Sequence, residues 1–157
     1  MKANQFIIFL LFSSLFCESQ IINVGDIEIV RDSFGIPHIY AKTDAQLAYG
    51  LAWAHAEDDF KTIQEAYLAG NSMLSKHIGL QGAPIDFLSQ LIRPDETIDS
   101  LYKTLDKNFI EVIMGYAEGL NSFANNHPDQ VLVEKLFPIT TRKMLKYSLL
   151  QLFIFSE

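Results

Sequence analysis

The stretch Glu28–Phe60, which reads EIVRDSFGIPHIYAKTDAQLAYGLAWAHAEDDF, decides the fold expected for this chain. Its first part alternates β-branched and charged residues from Ile27 to Arg31, a pattern typical of a strand. The next four residues, Asp32–Gly35, are turn formers, and Ile36–Tyr40 resumes as a second strand. The stretch therefore predicts a β-hairpin near the N-terminus.

A long helix is predicted directly after the hairpin. Thr43 or Asp44 is expected to cap it, because a short oxygen-bearing side chain accepts hydrogen bonds from the free N–H groups of a first turn. Gly70 and Asn71 provide its end. Apolar and aromatic residues recur every three or four positions, which predicts one buried face. The residues of this face are Tyr49, Trp53, Ala56, Phe60, Ile63 and Tyr67, and a neighbouring face small enough for close approach carries Ala45, Ala48 and Ala52.

Three consecutive acids, Glu57, Asp58 and Asp59, lie on this predicted helix. Consecutive helical side chains point about 100° apart, so the three do not converge on one metal ion. Glu57 is expected to pair with Lys61 one turn later. Asp58 is the candidate for a buried cap or a hydrogen-bond anchor. We therefore expect a structural role for the acids.

His38 follows Pro37 on the second predicted strand. We expect it to be a hydrogen-bonded residue at the hairpin edge, and contact with a ligand is the alternative. Arg31 and Asp32 lie across the turn from it. These side chains are expected to form a small polar network that fixes the hairpin.

The rest of the chain is predicted to be helical with short connections. Helical segments are expected at 72–82, 84–93, 95–105, 107–125 and from 142 onward. Pro94 is expected to break the chain between two of them. Thr140 or Thr141 is expected to cap the last one, after a loop at 127–138.

Gly115 and Gly119 lie four residues apart on the predicted helix 107–125. Each glycine destabilises a helix by about 1 kcal/mol relative to alanine. A packing role explains their presence, since a neighbouring backbone can approach closely where no side chain intervenes. We expect another element to cross this helix at the two glycines.

Composition excludes several classes of function. At 157 residues and 49% apolar, the chain is long enough for one domain with a core. Its net charge of −7 argues against a nucleic-acid partner, because phosphate binding needs a basic face. The histidines, at positions 38, 55, 77 and 127, form neither an HExxH pattern nor a Cys/His cluster, so no metal ligand is assigned. No GxSxG, P-loop or dinucleotide-binding glycine pattern occurs, and no catalytic residue is assigned.

The first residues have the pattern of a secretory signal peptide, in which Lys2 precedes the apolar run Phe6–Phe12. We predict a signal over residues 1–19, a domain over residues 20–157, and a periplasmic or secreted location. The apolar run is shorter than the roughly 20 residues of a membrane-spanning helix, so no transmembrane segment is expected after cleavage. Cleavage after Ser19 leaves no cysteine, and acylation of Cys17 as a lipoprotein is the alternative.

Two motifs resemble the penicillin amidase family, the secreted acylases of the N-terminal nucleophile hydrolase superfamily. The first motif is a strand that ends in Arg-Asp, a turn to Gly-x-Pro-His-Ile-x-Ala, and then Tyr-Gly-x-x-x-Ala-x-Ala-x-Asp. It matches Arg31, Asp32, Gly35, Pro37, His38, Ile39, Ala41, Tyr49, Gly50, Ala54, Ala56 and Asp58. The second, GYAxGxN, matches Gly115, Tyr116, Ala117, Gly119 and Asn121. We interpret Arg31, Asp32, Gly35, Pro37, His38, Tyr49, Gly50, Asp58, Gly115, Gly119 and Asn121 as residues that frame the scaffold and carry no catalytic atom.

The resemblance implies an α+β fold: a mostly helical α-chain segment whose N-terminal hairpin joins the αββα sandwich of the complete enzyme. It implies a precursor that is processed into an α chain and a β chain that begins with serine. In such enzymes the serine hydroxyl attacks an amide carbonyl, its α-amino group acts as general base, and β-chain donors hold the oxyanion. The implied partners are this β chain and a small-molecule amide substrate. Because none of that apparatus is in this sequence, we expect a truncated α-subunit domain that is inactive alone.

The resemblance also implies a calcium ion in the complete enzyme, but no position here is assigned as its ligand, Glu157 included. The residues around Asp58 and the segment Pro84–Arg93 resemble the acyl-homoserine-lactone and lipopeptide acylases more than the penicillin G enzymes. Candidate substrates are therefore acyl-homoserine lactones and β-lactam antibiotics.

A function of a different class is an exported, non-catalytic binding module, or the product of a decaying gene. The apolar run Leu145–Phe155 motivates this alternative. Large apolar patches seldom stay uncovered in a monomer, so such a run favours a partner.

Overall fold

The structure is a computed structural model that describes residues 22–156. The predicted signal peptide, with Cys17, and Glu157 lie outside the described residues. Within them, the predicted hairpin is present: β1 (Glu28–Arg31) pairs antiparallel with β2 (Pro37–Tyr40).

The helices confirm the prediction of a mostly helical α+β fold. They are α1 (Asp44–Gly70), α2 (Ser75–Ile78), α3 (Ala83–Leu91), α4 (Pro94–Leu101), α5 (Lys107–Asn126) and α6 (Thr141–Phe155). Short 3-10 turns lie at Val24–Asp26, Gly79–Gly82, Tyr102–Thr104, Pro128–Gln130 and Glu134–Leu136. Of the alternative caps, the structure selects Thr43 for α1 and Thr140 for α6, and the hydroxyl of each accepts a hydrogen bond from a first-turn N–H. No helix among the described residues has the length and apolar character needed to cross a membrane.

The predicted segment 95–105 is shorter as a regular helix than expected. The break predicted at Pro94 is present: α3 ends at Leu91, and Pro94 is the first residue of α4. A proline suits that position, since the first N–H of a helix has no intrahelical partner. Arg93 makes the turn between the two helices with a φ of 51°, a left-handed conformation that is uncommon outside glycine.

The core forms where α1 and α5 pack against each other. Its aromatic centre consists of Trp53, Phe60 and Phe123, whose rings meet edge to face with centroids 5.3 and 4.9 Å from the Phe123 ring. Leu136 and Ile139, from the segment before α6, are fully buried against it. The aromatic face predicted for α1 is therefore confirmed as core.

Helix α1 is not one regular helix, which differs from the prediction. Asp59 has φ −158° and ψ 73°, so the helix kinks there. Its carboxylate accepts a hydrogen bond from the N–H of Thr62 at 3.0 Å, as an N-cap does. The hydrogen bonds from Thr62 hold the pKa of Asp59 below its ordinary value. The third acid of the run therefore restarts the helix.

Candidate functional site

The candidate site is the surface where the hairpin lies on α1, and Gly50 sets how close the two come. A Cβ placed on Gly50 would lie 2.7 Å from Cγ2 of Ile39 and 3.0 Å from Cγ2 of Ile27. Cβ atoms do not approach neighbours that closely, so this position needs glycine for the hairpin to sit where it does. The isoleucines of the inner hairpin face thus pack directly on the helix backbone.

Arg31 fastens the end of β1 to the kink in α1. Its guanidinium donates to the carbonyl oxygens of Gly35 at 2.8 Å and Ala54 at 3.3 Å. It also contacts the carboxylates of Glu57 at 3.1 Å and Asp58 at 2.8 Å. These bonds, that of Glu57 above all, raise the pKa of the arginine. One cation therefore joins strand, turn and helix.

Glu57 and Asp58 make contacts that differ from those predicted. Glu57 was expected to pair with Lys61, but its carboxylate takes hydrogen bonds from Arg31 and from the Trp53 indole at 3.0 Å, while Lys61 lies 3.8 Å from Glu65. Asp58 is an anchor as predicted, yet its side chain is 56% exposed, so the prediction of a buried cap is wrong. The physical reason is that Arg31, distant in sequence, reaches the helix surface and attracts both acids.

Asp32 closes the turn of the hairpin. Its carboxylate accepts from the N–H groups of Phe34 at 2.8 Å and Ile36 at 3.0 Å, and lies 3.4 Å from Nε2 of His38. These bonds, the one from Ile36 first, hold the pKa of Asp32 below its ordinary value. Gly35 has φ 82°, which suits glycine. The predicted polar network is therefore present in part: Asp32 and His38 are in contact, with Pro37 beside them at the start of β2, whereas Arg31 bonds Gly35 and the acids of α1 instead.

The two glycines of α5 lie where α1 crosses it. A Cβ on Gly115 would collide with the backbone carbonyl of Ala45, and one on Gly119 with the carbonyl of Tyr49. The same added Cβ on Gly119 would lie 2.8 Å from Cβ of Ala52. The close approach predicted from the glycine spacing is confirmed, and the alanine face of α1 is its other half.

Asn121, the last residue of the second motif, holds the segment before α6. Its side-chain amide donates to the carbonyl of Ile139 at 2.8 Å and accepts from the N–H of the same residue at 2.6 Å. The motif therefore ends in a residue that fixes a loop 18 positions further along the chain.

The sequence did not predict two other buried polar side chains that bond the backbone of neighbouring segments. Gln64 is fully buried and bonds the loop backbone at Gln130, at 3.0 Å, and at Leu132, at 2.9 Å. Asp86 is buried and accepts from the N–H groups of Leu74 at 2.7 Å and Ser75 at 2.9 Å. A polar residue on an otherwise apolar helical face was the available signal for Gln64.

A cluster of ion pairs joins α4 to α6 and was also missed. Arg142 bonds the carboxylates of Asp95 at 2.9 Å and Asp99 at 2.7 Å, and Lys146 bonds Asp95 at 2.7 Å. The hydrogen bond from Lys146, followed by that from Arg142, holds the pKa of Asp95 below its ordinary value. The i,i+4 spacing of the two acids was the signal, but their partner lies more than 40 residues away.

The polar side chains of the site thus make hydrogen bonds and ion pairs that hold structural elements together. Among residues 22–156, no group of three or more His, Cys, Asp or Glu side chains is arranged to hold a metal ion. Ser75, whose hydroxyl donates to Asp86 at 2.6 Å, lies at the start of α2 beside a carboxylate that also binds two backbone N–H groups. The arrangement positions backbone elements, and no described residue is identified as a nucleophile.

A search of solved structures finds the same fold in a penicillin acylase. The thermostable penicillin G acylase from Alcaligenes faecalis matches with a TM-score of 0.70, over 83% of this chain and 74% of that chain, at 21% sequence identity. That likeness establishes the fold: the hairpin and the helices are arranged as in that penicillin acylase.

The sequence comparisons give the family. The penicillin amidase family model matches residues 26–155, so this chain belongs to the penicillin amidase family. It is similar to the acyl-homoserine lactone acylase PvdQ of Pseudomonas fluorescens, 28% identical over an alignment of 133 positions that covers 76% of this chain. It is also similar to the penicillin G acylase of Escherichia coli, 24% identical over an alignment of 135 positions that covers 83% of this chain. The chain spans 17% and 16%, respectively, of the lengths of these relatives.

Proposed function

We propose that this chain is the N-terminal part of the α subunit of an exported acylase. The complete enzyme hydrolyses linear amide bonds of acylated small molecules. The observation that carries the proposal is the structural role of the family-motif residues. Arg31, Asp58 and Asn121 hold elements of the scaffold together. None of the described residues is assigned as the nucleophile. The nucleophile is then the N-terminal serine of a β chain, and its α-amino group is the general base.

The surface of the hairpin supports the expectation of a partner chain. Val30 and Tyr40, on the face turned away from α1, are 44% and 60% exposed. Phe34, at the tip of the turn, is 89% exposed. Exposed apolar residues grouped on one element favour cover by another protein segment. The rest of the sandwich provides that cover in this proposal.

Acylated lactones and β-lactams are the two substrate classes we propose. The names of the relatives support both, since one is an acyl-homoserine lactone acylase and another a penicillin G acylase. Both classes present an acyl group joined to nitrogen, so one acyl-transfer mechanism serves either. The predicted signal at residues 1–19 and a periplasmic or secreted location belong to the same proposal.

The test begins with residues 20–157 purified alone. We expect no hydrolysis of penicillin G or of an N-acyl-homoserine lactone above a buffer blank, because this segment lacks the serine and the oxyanion donors. Turnover that copurifies with the segment would contradict the proposal. The second arm expresses the segment together with Escherichia coli penicillin G acylase from which the matching region has been deleted, and we expect the two to copurify.

A non-catalytic binding module is the second candidate, and α6 favours it. Leu152 and Phe155, in the last turn, are 68% and 80% exposed, and the neighbouring Phe153 and Ile154 are also exposed. A module of this kind would hold a partner with that turn. Genomic DNA directly downstream distinguishes the two: a frame encoding a Gly-Ser or Ala-Ser junction supports the acylase, and its absence supports the module or a decaying gene.

A further inference from the structure

We propose that the free edge of β1 is the docking surface for one β-strand of the partner chain. The inference rests on the proposed function, because the strand belongs to the part of the acylase that the relatives have beyond the matched region. It adds which of the two hairpin edges the partner uses, and which backbone groups bind it.

The hydrogen-bond pattern of the hairpin shows which groups point outward. In an antiparallel ladder, directly opposed residues alternate between pairs that exchange hydrogen bonds and pairs that do not. Asp32 donates its N–H to the carbonyl of Ile36 at 3.1 Å, next to the turn. Counting from there, Val30 and His38 form a bonded pair. The backbone groups that point away from the ladder are those of Arg31 and Ile29 on β1 and of Pro37 and Ile39 on β2.

The two edges of the hairpin differ in the backbone hydrogen-bond donors that they present to an added strand. On β1, Ile29 and Arg31 each present an N–H and a carbonyl, and neither makes a further backbone hydrogen bond with residues 22–156. On β2, Ile39 presents both groups, but Pro37 has no N–H to donate. An added strand therefore finds a complete set of donors and acceptors only along β1.

The faces of the hairpin also favour an added strand. The inner face is already covered, because Ile29 and Ile39 pack on Gly50 of α1. The outer face exposes Val30 and Tyr40. A two-stranded sheet is marginally stable on its own, and an open, partly apolar edge is a template for strand addition. A neighbouring strand gives Val30 a cross-strand partner and extends the sheet.

The partner chain, and not a second copy, is the occupant to which the proposal commits. The chain spans 17% of the length of the PvdQ acylase and 16% of the length of the Escherichia coli penicillin G acylase. Most of each relative therefore lies outside the matched region, and that remainder is long enough to supply the strand that the proposal places on this edge. The hairpin is the one sheet within the described residues, so strands of the remainder have this edge to join.

Two proline variants test the edge. Ile29→Pro removes an outward N–H from β1, and Ile39→Pro removes the directly opposed outward N–H from β2. The two residues are matched, since both are partly buried and both face Gly50. The probe is Escherichia coli penicillin G acylase lacking the matching region, expressed together with residues 20–157. Far-UV circular dichroism of each variant alone establishes that the helices are retained.

We expect Ile29→Pro to weaken association at least about tenfold relative to Ile39→Pro, since tenfold corresponds to about 1.4 kcal/mol, close to one hydrogen bond. In the complex, amide exchange at Ile29 and Arg31 should slow, while exchange at Ile39 should not change. Association that is equal for both variants overturns this inference and leaves the proposed function standing. Failure of the unaltered segment to associate overturns both, and a dimer of the segment that Ile29→Pro abolishes overturns the choice of the partner chain.

Discussion

Helix α1 packs against α5 through backbone atoms, and against the hairpin through side chains. The helix pair meets backbone to backbone at Gly115 and Gly119 and is buried from both sides. The hairpin meets α1 through a few isoleucines at Gly50 and through Arg31 at the surface, and its outer face is exposed. The helix contact is complete within the described residues, whereas the hairpin is supported from one side only.

The difference separates two kinds of motif residue. A glycine of the helix contact sets a distance that no other residue can restore, so its replacement acts on the whole domain. An arginine of the hairpin contact orients an element that α1 already supports through apolar packing. Replacement of the arginine should therefore loosen the hairpin and leave the helices folded.

Gly115→Ala should have the largest effect of the variants considered. In an exposed helix the change would stabilise by about 1 kcal/mol. Here the new Cβ meets the backbone of Ala45, which cannot rotate away, and α1 must move. We expect the free energy of unfolding to fall by about 3 kcal/mol or more, measured by urea denaturation of residues 20–157.

The matched control for that variant is Glu118→Ala, at an exposed position on the same helix. Its effect should stay within about 0.5 kcal/mol. If Gly115→Ala proves as stable as the control, the backbone contact at the crossing does not hold in solution.

Asn121→Ala should come next. It removes both hydrogen bonds to the backbone of Ile139, which is 2% exposed, and leaves an N–H and a carbonyl unpaired in the core. An unsatisfied buried polar group destabilises by about 1–3 kcal/mol. Asn126→Ala, near the end of the same helix, loses a single exposed bond to Ser122 and serves as the control. Equal unfolding curves for the two alanine variants would show that the loop needs no tie from α5.

Arg31→Lys tests the other side of the comparison. Lysine keeps the charge but cannot reach two carboxylates and two carbonyls together, because it lacks the planar fork of the guanidinium. We expect faster amide exchange in β1 and β2 with unchanged exchange in α5, and a smaller loss of stability than for the glycine variant. Arg93→Lys, at an exposed arginine paired with Glu96, is the control. Uniformly faster exchange throughout the chain would contradict a local role for Arg31.

The two contacts also differ in how far the sequence predicted them. The three- and four-residue spacing of apolar side chains predicted α1 and α5, and the spacing of the two α5 glycines predicted the close approach. Turn chemistry at Asp32 and Gly35 predicted the hairpin. Periodicity within one element was enough for these features, because each depends on neighbours a few positions apart.

The kink within α1 and two of the contacts between distant segments were not predicted. The kink at Asp59 interrupts a pattern that continues across it, so periodicity gave no sign of it. Glu57 has Lys61 one turn away, yet it bonds Arg31, which lies 26 positions earlier. Gln64 ties down a loop without any regular pattern. For Glu57 and Gln64 the partner is chosen by tertiary packing, which one sequence does not encode locally.

The ion pairs between α4 and α6 should produce the smallest effect, and that effect should depend on pH. Since the bonds from Lys146 and Arg142 lower the pKa of Asp95 from its ordinary 3.8, the folded state holds this carboxylate ionised more readily than the unfolded state does. Its contribution to stability is therefore complete above about pH 4 and is lost as the pH falls through the lower folded pKa.

Asp95→Asn should lower the melting temperature slightly at pH 7 and flatten the decline of the melting temperature below about pH 4. Asp129→Asn removes the same charge from an exposed turn and controls for net charge. If the two variants lose stability in parallel as the pH falls, the cluster adds nothing beyond charge, and α6 is held by its apolar contacts with α1 and α5.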